Sequence, residues 1–551
     1  MRNIKDKEES SSGSEITVDV TQTEYPIVVQ VMRDTLGYKL NNSQNNDWDL
    51  CWIDLGINPE IVSKMKPYQK INHFPNTWCL SDKDQLGINL SRMYRAFRNE
   101  YEFFPQTWVL PGDWNCMKAD INKSQHNSFI IKPEGLSQGK GIYLTKGIDN
   151  LNPNDHCVVQ RYLENPYLID GLKFDLRMYI LVYGCDPLRV YVFKEGLTRL
   201  STEKYVKPDS SNLQNQYIHL TNYAINKFSK NFIYNSDANN TTVGHKRSLV
   251  FIWDHIDKNG GNSTVLRANI NDIIIKTLCA VQPKLKQCFR SCQPTNLNNN
   301  MCFEILGIDI LIDEDLKPWL LEINHAPSFN IDTPFDYKLK SELLTDAIKL
   351  LHLDSANRIK YQGGSNDKAI FDCLSEKEKE LLRQNAMIER DKYEMQHYGG
   401  FTRIYPDDKL NAKYQAFIDY AEYELNQHNV VKPKIESIVT LPLIKSCYST
   451  SKVKLPSMKV YKSLTSRQKV KQSKRKEPTP FLQVVNGQTE KSEHVNETLH
   501  ESKNSRLVFT KRTYYPKLKA KTNRYKVNYQ TSKYNLEALK ALIAKLDNRK
   551  E

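Results

Sequence analysis

Residues 303–329, FEILGIDILIDEDLKPWLLEINHAPSF, carry acidic and amide side chains at a spacing that suits a metal-dependent reaction. Two apolar runs flank the charged turn at 313–317, which predicts a β-hairpin. With the turn centred in that segment, Asp309 lies opposite Glu322, and Asn324 points to the same face because side chains alternate along a strand. Close carboxylates repel each other without a cation, and oxygen ligands suit Mg²⁺. The hairpin therefore predicts an Mg²⁺ site, with solvent-facing acidic residues as the alternative.

A second segment that suits phosphate chemistry is 129–144, FIIKPEGLSQGKGIYL, which predicts a strand, a glycine loop and a second strand. Gly-x-Gly allows backbone amides to approach phosphate oxygens. Lys132 ends the first strand and Lys140 lies in the loop, so cations flank it. The GxxxxGK[ST] motif of a P-loop is absent. The segment predicts a phosphate clamp, with an ordinary hairpin turn as the alternative.

A third segment, 171–184, GLKFDLRMYILVYG, alternates Lys173, Asp175 and Arg177 with apolar residues, so one face of the predicted strand is charged. A solvated edge strand explains such a pattern. The apolar run that follows favours a buried central strand instead, whose charged face must line a polar cavity. The segments CVVQRYL (157–163), EGLTRL (195–200) and YIHLTNYAINK (217–227) add further polar breaks.

Together these segments resemble the tubulin-tyrosine-ligase-like family of ATP-grasp amino-acid ligases, and the pattern as far as GGFTRIYP looks most like its polyglutamylase branch. The resemblance covers about residues 48–335 through YQKINHFP, KPEGLSQGKGI, QRYL, DGLKFDLRMY, HLTNYAINK and LGIDILID…PWLLEINHAPSF. It implies an α+β fold with an ATP-grasp-like ligase core followed by a helical basic segment. The polar composition at the start of the chain and the Lys/Ser/Thr-rich composition after about residue 426 predict a disordered N-terminus and a disordered basic tail. The boundaries expected are a disordered N-terminus at 1–45, an N-terminal lobe at 46–125, a central ATP-grasp lobe at 126–212, a C-terminal ATP-grasp lobe with the metal site at 213–335, a helical cationic microtubule-binding region at 336–425 and a disordered Lys-rich tail at 426–551.

The resemblance also implies roles for individual side chains. Two Mg²⁺ ions would bind Asp309, Glu322 and Asn324, which makes Glu322 a catalytic residue. Independently of the resemblance, the position of Arg177 on the charged strand face makes it the candidate catalytic residue that stabilises developing negative charge. The ATP contacts implied are Lys132, Gln160, Arg161, Tyr162, Leu163, Lys173, Phe174, Asp175, Thr221 and Asn222. The acceptor peptide would contact Gln138, Gly139 and His325. The incoming free L-glutamate would be held by Arg199, Tyr223, Lys246 and Lys340.

The reaction implied is ATP-dependent ligation of L-glutamate to glutamate side chains or chains on tubulin C-terminal tails. A carboxylate is a poor electrophile, so ATP first converts the acceptor γ-carboxylate to an acyl phosphate, which the amine of free glutamate attacks. A donor pocket with an arginine and two lysines matches the two carboxylates of glutamate. The alternatives are a glycine or tyrosine ligase and an inactive microtubule-binding protein. The residues leave open whether chains are started or lengthened, and on which tubulin subunit.

The net charge of +14 arises at the end of the chain. Residues 431–551 contain 28 Lys+Arg and 9 Asp+Glu, whereas residues 1–430 contain 50 and 55. Such a tail predicts a polyanionic partner, and acidic tubulin tails on microtubules fit the resemblance better than nucleic acid. The alternatives for its KQSKRK segment are a solvated linker and a nuclear-import signal.

The remaining expectations concern location and local structure. No apolar run approaches the ~18 residues of a membrane span and no signal peptide is recognisable, which favours the cytoplasm and no membrane partner, and the resemblance implies the cytoskeleton. Scattered cysteines favour a reduced protein without disulfides or structural zinc. The resemblance adds microtubules of the cilium or flagellum axoneme and basal body, and a monomeric catalytic core. The pattern Ser375-x-x-Glu378 with Gly399 predicts a helix at 376–398, and further elements are expected as a strand at 25–31 and a short helix at 536–546.

Overall fold

Two long strands, Leu172–Cys185 and Leu188–Lys204, form an antiparallel pair around which the other elements of the computed structural model are arranged. The structure describes residues 15–41, 46–122, 128–240, 242–296, 298–362, 373–407 and 409–426. The expected disordered tail, with its KQSKRK segment and its predicted helix at 536–546, lies outside these residues except for position 426.

Strands and helices alternate along the described chain in a mixed α/β pattern. The strands, β1 to β15 in chain order, are Thr17–Gln22, Lys39–Leu40, Leu50–Ile53, Lys70–Ile71, Thr107–Leu110, Ser128–Pro133, Tyr143–Lys146, Cys157–Arg161, Leu168–Ile169, Leu172–Cys185, Leu188–Lys204, Lys246–Ser248, Glu304–Ile312, Pro318–Asn324 and Phe401–Tyr405. The α-helices, α1 to α14, are Pro26–Gln30, Pro59–Lys64, Trp78–Ser81, Lys83–Ala96, Trp114–Ile121, Gln216–His219, Tyr223–Asn226, Leu249–Lys258, Ser263–Cys279, Gln282–Cys292, Pro334–Leu350, Ser355–Gln362, Glu376–His397 and Asn411–Leu425. A π-helical turn, Val31–Thr35, continues α1.

Three sheets organise the described residues. The largest has the order β12-β11-β10-β13-β14, with β15 paired to β11 and β9 paired to β10. A parallel sheet near the start of the chain has the order β2-β1-β3-β4, and an antiparallel sheet has the order β5-β8-β6-β7. The mixed architecture is the one the sequence predicts; the assignment of its parts to ATP-grasp lobes stays a prediction.

Strand β10 is a central strand, with β11 on one side and β13 on the other. From Met178 onward both of its faces are buried: Met178 and Ile180 belong to one hydrophobic cluster, and Tyr179 and Leu181 to another. Burial on both faces explains the unbroken apolar run YILVYG, because neither face meets water. The prediction of a buried central strand is confirmed, and the edge-strand alternative is wrong.

The region near the N-terminus is more ordered than the sequence predicts. Residues 15–41 form β1, α1 and β2, and the expected disorder at 1–45 does not hold for them. The predicted strand at 25–31 is wrong, because Pro26 occupies the first turn of helix α1. Ile27 and Val28 are buried in the cluster that also contains residues of α11. This burial stabilises the segment in an ordered state, although its polar composition predicted disorder.

Helix α13, Glu376–His397, confirms the helix predicted at 376–398. Ser375 and Glu378 form a reciprocal capping box at its start. Gly399 follows its C-terminal cap with a φ of 54°, a left-handed conformation that glycine adopts without strain. Within the described ranges no helix is both long and apolar enough to span a bilayer, and every cysteine there is a free thiol.

Candidate active site

The β13–β14 hairpin brings the predicted metal ligands together. Asp309 on β13 is directly opposite Glu322 on β14, and Asn324 is opposite Gly307. The Asn324 side-chain amide donates to the Gly307 carbonyl at 3.3 Å and to a Glu322 carboxylate oxygen at 3.4 Å. The predicted hairpin and its register are therefore confirmed, and three side-chain oxygens can face one point.

Two arginines hold the carboxylate of Asp309. Arg177 donates to it through Nε at 2.5 Å and Nη2 at 3.0 Å, and Arg199 donates through Nη2 at 2.7 Å. Arg199 also binds Asp175 at 2.8 Å through Nε. The sheet order explains this network, because β10 places Asp175 opposite Arg199 of β11 and Arg177 opposite Asp309 of β13.

These contacts push the pKa values of the two carboxyl groups apart. Burial alone would raise the pKa of Asp309, but Arg177 and Arg199 hold it well below its usual range. Burial and the nearby Asp309 carboxylate raise the pKa of Glu322. Glu322 is half-buried and has no arginine partner like those of Asp309, so a bound cation would supply the compensation that its carboxylate lacks.

The side chains of Asp309, Glu322 and Asn324 form a donor set that fits Mg²⁺. The described part of the chain contains no group of three or more His, Cys, Asp and Glu residues that could hold a metal. The predicted set instead combines two carboxylates with the amide of Asn324, and all three can offer the oxygen ligands that Mg²⁺ prefers. The residues fit this ion, with Asp309 shared between it and the two arginines.

A cavity begins at the carboxylates and extends between the central sheet and the β5–β8 sheet. Twelve of its lining residues were singled out from the sequence: Lys132, Gln160, Arg161, Tyr162, Leu163, Lys173, Asp175, Arg199, Thr221, Asn222, Asp309 and Glu322. Sequence reasoning missed Pro105, Ile130, Ile142, His219, Leu220, Leu311 and Leu321. The period-2 spacing from Lys132 to Ile130 and from Asp309 to Leu311 was a usable signal for two of them.

Two buried lysines give the cavity its positive charge. Lys132 donates to the Gln160 side-chain oxygen at 2.8 Å, and Lys173 donates to the Tyr162 hydroxyl at 2.9 Å and the His219 carbonyl at 2.8 Å. Burial lowers the pKa of Lys132 to about 8 and that of Lys173 to about 7. Within the described residues neither forms an ion pair with a carboxylate. A phosphate group would supply the missing negative charge.

Phe174 is the exception among the predicted ATP contacts. Its side chain is 1% exposed and lies in the apolar core, on the opposite face of β10 from Lys173 and Asp175. Phe174 does not line the cavity, and its role toward ATP stays a prediction. Alternation along the strand explains the difference, because adjacent side chains point to opposite faces.

Three of the four predicted glutamate-binding residues meet around Asp336, which the sequence did not single out. The ammonium group of Lys246 lies 2.8 Å from an Asp336 carboxylate oxygen and 3.7 Å from the centre of the Tyr223 ring. Lys340 lies 3.7 Å from Asp336. The fourth, Arg199, turns instead to Asp175 and Asp309. An incoming carboxylate must therefore share these lysines with Asp336.

The predicted acceptor contacts lie in two places outside the cavity lining. Gln138 and Gly139, in the loop between β6 and β7, have φ values of 60° and 80°. A Cβ atom on Gly139 would lie 2.7 Å from Ile225 and 3.1 Å from Asn222, so a glycine is needed there. The ring of His325, which follows β14, lies 6.0 Å from the ring of His73. Their roles toward an acceptor stay predictions.

The sequence of this chain is similar to that of known proteins. A sequence model of the Tubulin-tyrosine ligase family matches residues 61–359. A probable beta-tubulin polyglutamylase of Tetrahymena thermophila is 44% identical over 419 residues, which cover 74% of this chain and 35% of the relative. The tubulin polyglutamylase ttll6 of Danio rerio is 40% identical over 395 residues, 69% of this chain and 49% of the relative. The tubulin polyglutamylase TTLL7 of Xenopus tropicalis is 35% identical over 451 residues, which cover 76% of this chain and 49% of the relative. The chain thus spans between about a third and a half of the length of these relatives.

Proposed function

The chain belongs to the Tubulin-tyrosine ligase family, and we propose that it is an ATP-dependent tubulin polyglutamylase. Its substrates are ATP, free L-glutamate and the glutamate-rich C-terminal tails of tubulin. The relatives described above are named tubulin polyglutamylases, which supports both the reaction class and the acceptor.

One observation carries the proposal more than any other. The buried and unpaired ammonium groups of Lys132 and Lys173 line the same cavity as the carboxyl groups of Asp309 and Glu322. A nucleotide phosphate chain with its Mg²⁺ satisfies both sets at once, because the phosphates compensate the lysines and the metal compensates the carboxylates. A purely structural cavity has no reason to keep two lysines without a carboxylate partner beside Glu322, which lacks the arginine partners of Asp309.

The first step transfers the γ-phosphoryl group of ATP to the acceptor. An oxygen of the acceptor γ-carboxylate bonds to the γ-phosphorus, the bond to the bridging oxygen breaks, and ADP leaves. Lys132 and Lys173 hold the phosphate oxygens, and Arg177, beside Asp309, stabilises the negative charge that develops. Asp309, Glu322 and Asn324 would hold Mg²⁺, which when bound neutralises further phosphate charge.

The second step forms the amide bond. The α-amine of free glutamate attacks the acyl carbon, phosphate leaves and one proton is released. Lys246 and Lys340, with the ring of Tyr223 against Lys246, hold the donor carboxylates. A glycine donor lacks the second carboxylate and would leave part of this positive charge unpaired. A glycine or tyrosine ligase is therefore the less favoured reading.

The remaining parts of the proposal concern organisation and location. The lobes at 46–125, 126–212 and 213–335 form an ATP-grasp core, Gln138, Gly139 and His325 contact the acceptor, and the helices beyond residue 336 bind microtubules. The chain acts on microtubules, including those of the axoneme and basal body, as a monomeric catalytic core. The basic tail adds salt-sensitive attraction to the acidic tubulin surface.

Transfer of radiolabelled glutamate, glycine and tyrosine to purified microtubules, with ATP and Mg²⁺, tests the proposal. Wild type is expected to incorporate glutamate, and Glu322→Gln to incorporate none while still sedimenting with microtubules. Incorporation of glycine or tyrosine instead would overturn the donor assignment. Transfer by Glu322→Gln at a rate near wild type would overturn the metal assignment.

A further inference from the structure

A smaller cleft adjoins the cavity that contains Lys132, Lys173 and Glu322, here called the nucleotide cavity, at the end where Glu322 lies. The two share Lys132, Gln160, Leu321 and Glu322, so they are joined beside the predicted metal site. Tyr162 and His219, which line the nucleotide cavity, do not line the cleft. Helices α3 and α4 close its outer side, and Asn324 completes the wall formed by β14. The cleft therefore reaches the predicted metal ligands from a direction different from that of the nucleotide cavity.

Lys83, the first residue of α4, supplies a cation to this cleft. Its ammonium group donates to the Leu136 carbonyl at 2.6 Å. An ammonium group has three N–H donors, and within the described residues Lys83 forms no salt bridge, although its charge opposes the rise in the pKa of the neighbouring Asp82. Leu136 lies in the glycine loop, two residues before Gln138. The contact therefore joins helix α4 to the loop that carries the predicted acceptor residues.

Ser81, the last residue of α3, adds a polar group whose hydrogen-bonding capacity is unused. Its hydroxyl oxygen is buried, lines the cleft and has no hydrogen-bond partner within the described part of the chain. Buried hydroxyl groups are normally paired, because leaving one unpaired costs free energy. A ligand oxygen in the cleft would accept a hydrogen bond from it.

The charges around the cleft define what it can bind. Lys83 and Lys132 are both cationic neighbours, and the charge of Lys83 contributes to the lowered pKa of Lys132. An anion placed between these ammonium groups would relieve their repulsion. Glu322 forms the adjacent wall, so an anion is tolerated there only when a cation compensates this carboxylate. The cleft therefore suits a carboxylate that binds together with a metal-bound nucleotide.

We propose that this cleft is the acceptor-carboxylate subsite, in which Lys83 and Ser81 hold the side-chain carboxylate of a glutamate-rich peptide beside Glu322. The inference rests on the proposed function and deepens it. In-line phosphoryl transfer requires the attacking oxygen to approach the γ-phosphorus from the side opposite ADP. The cleft meets the nucleotide cavity at its carboxylate end, away from Tyr162 and His219, and so supplies that approach. Lys83 thus becomes a specificity-determining residue for an acidic acceptor.

The test compares Lys83→Met, Lys83→Arg and Ser81→Ala in the full-length chain, with Lys118→Met on the exposed part of α5 as a matched control. KM is measured separately for microtubules, free glutamate and ATP. Lys83→Met is expected to raise KM for microtubules about tenfold or more, with KM for ATP and glutamate within twofold. Lys83→Arg should recover part of the loss, and Ser81→Ala should show a smaller rise in the same constant. Lys118→Met should match wild type.

A rise in KM for ATP equal to that for microtubules would overturn the inference, because the cleft would then hold a phosphate. An unchanged KM for microtubules in Lys83→Met would also overturn it. Binding of a glutamate oligopeptide, measured with Mg²⁺ and a non-hydrolysable ATP analogue, separates this outcome from failure of the proposed function. Peptide binding by wild type that Lys83→Met weakens supports the subsite even if wild type transfers no amino acid. Equal binding by both proteins contradicts it.

Discussion

Lys173→Met should stabilise the protein while it weakens ATP binding. Burial lowers the pKa of Lys173 from 10.5 to about 7, which corresponds to about 5 kcal/mol of destabilisation of the folded state at neutral pH. Methionine has a similar length and no charge, so it removes this cost. The substitution also removes the hydrogen bonds to the Tyr162 hydroxyl and the His219 carbonyl, at a cost of about 1–3 kcal/mol in total. The net expectation is a gain of about 2–4 kcal/mol.

The pH dependence of this gain is fixed by the sign of the pKa shift. The folded state disfavours the charged amine, so the penalty in wild type is complete below the folded pKa of about 7 and disappears as the pH approaches the unfolded value of 10.5. The advantage of Lys173→Met should therefore be largest at pH 7 and below and shrink toward pH 10. Loss of one charged contact to phosphate should weaken ATP binding about 10- to 150-fold.

Denaturant unfolding from pH 6 to 10 and ATP titration of the same protein measure the two effects. Lys276→Met is the matched control, because Lys276 is equally buried but its ammonium group lies between Glu100 and Asp272. Removing one partner of a buried ion pair costs about 3–5 kcal/mol, so the control should be destabilised. Loss of stability in Lys173→Met, or unchanged ATP affinity, would refute the argument that an uncompensated ammonium is kept for phosphate.

Three further perturbations follow from the same contacts. ATP binding at pH 8 should be coupled to proton uptake by Lys132 and Lys173, so ATP affinity should fall as the pH rises through their pKa values of about 8 and 7. Calorimetry in buffers of different ionisation enthalpy measures this uptake. No uptake would show that both lysines are already charged before ATP binds. Glu394→Ala should lower the free energy of unfolding by about 3–5 kcal/mol, because the buried carboxylate of Glu394 binds two arginines and a tyrosine hydroxyl. The control, Glu376→Ala at the exposed start of the same helix, should leave the denaturant midpoint unchanged. Gly139→Ala should slow transfer more than Gly135→Ala, because both have positive φ but only the first Cβ would meet neighbouring side chains; equal rates would contradict this close approach.

The network around Asp309 explains why its role is not visible in the hairpin alone. The hairpin suggests two equivalent carboxylates facing a metal. The structure gives Asp309 two arginine partners and leaves Glu322 with a raised pKa, so the two groups differ before any ligand binds. The consequence is that a variant of Glu322 tests metal binding, whereas a variant of Asp309 also releases two buried guanidinium groups.

Local patterns in the sequence determined the elements that carry the chemistry. The pairing of Asp309 with Glu322, the charged face of β10 and the capped helix α13 each depend on alternation or capping within a few residues, which a single segment encodes. The family resemblance extended these segments to a nucleotide site, and most of the residues it implied for ATP line one cavity. The side chain of Phe174 does not line this cavity, because side chains alternate along β10 and its own lies on the apolar face.

Only the tertiary structure decided which charges meet. Arg199 binds Asp175 and Asp309 because β11, β10 and β13 are neighbours in the sheet, an order that no local pattern specifies. Asp336 pairs with Lys246, which lies 90 positions away in the chain, and Lys83 reaches Leu136 of the glycine loop, 53 positions away. The N-terminal strand and helix are ordered for the same reason. Their stability comes from burial against distant elements, and burial depends on the whole fold rather than on the composition of the segment.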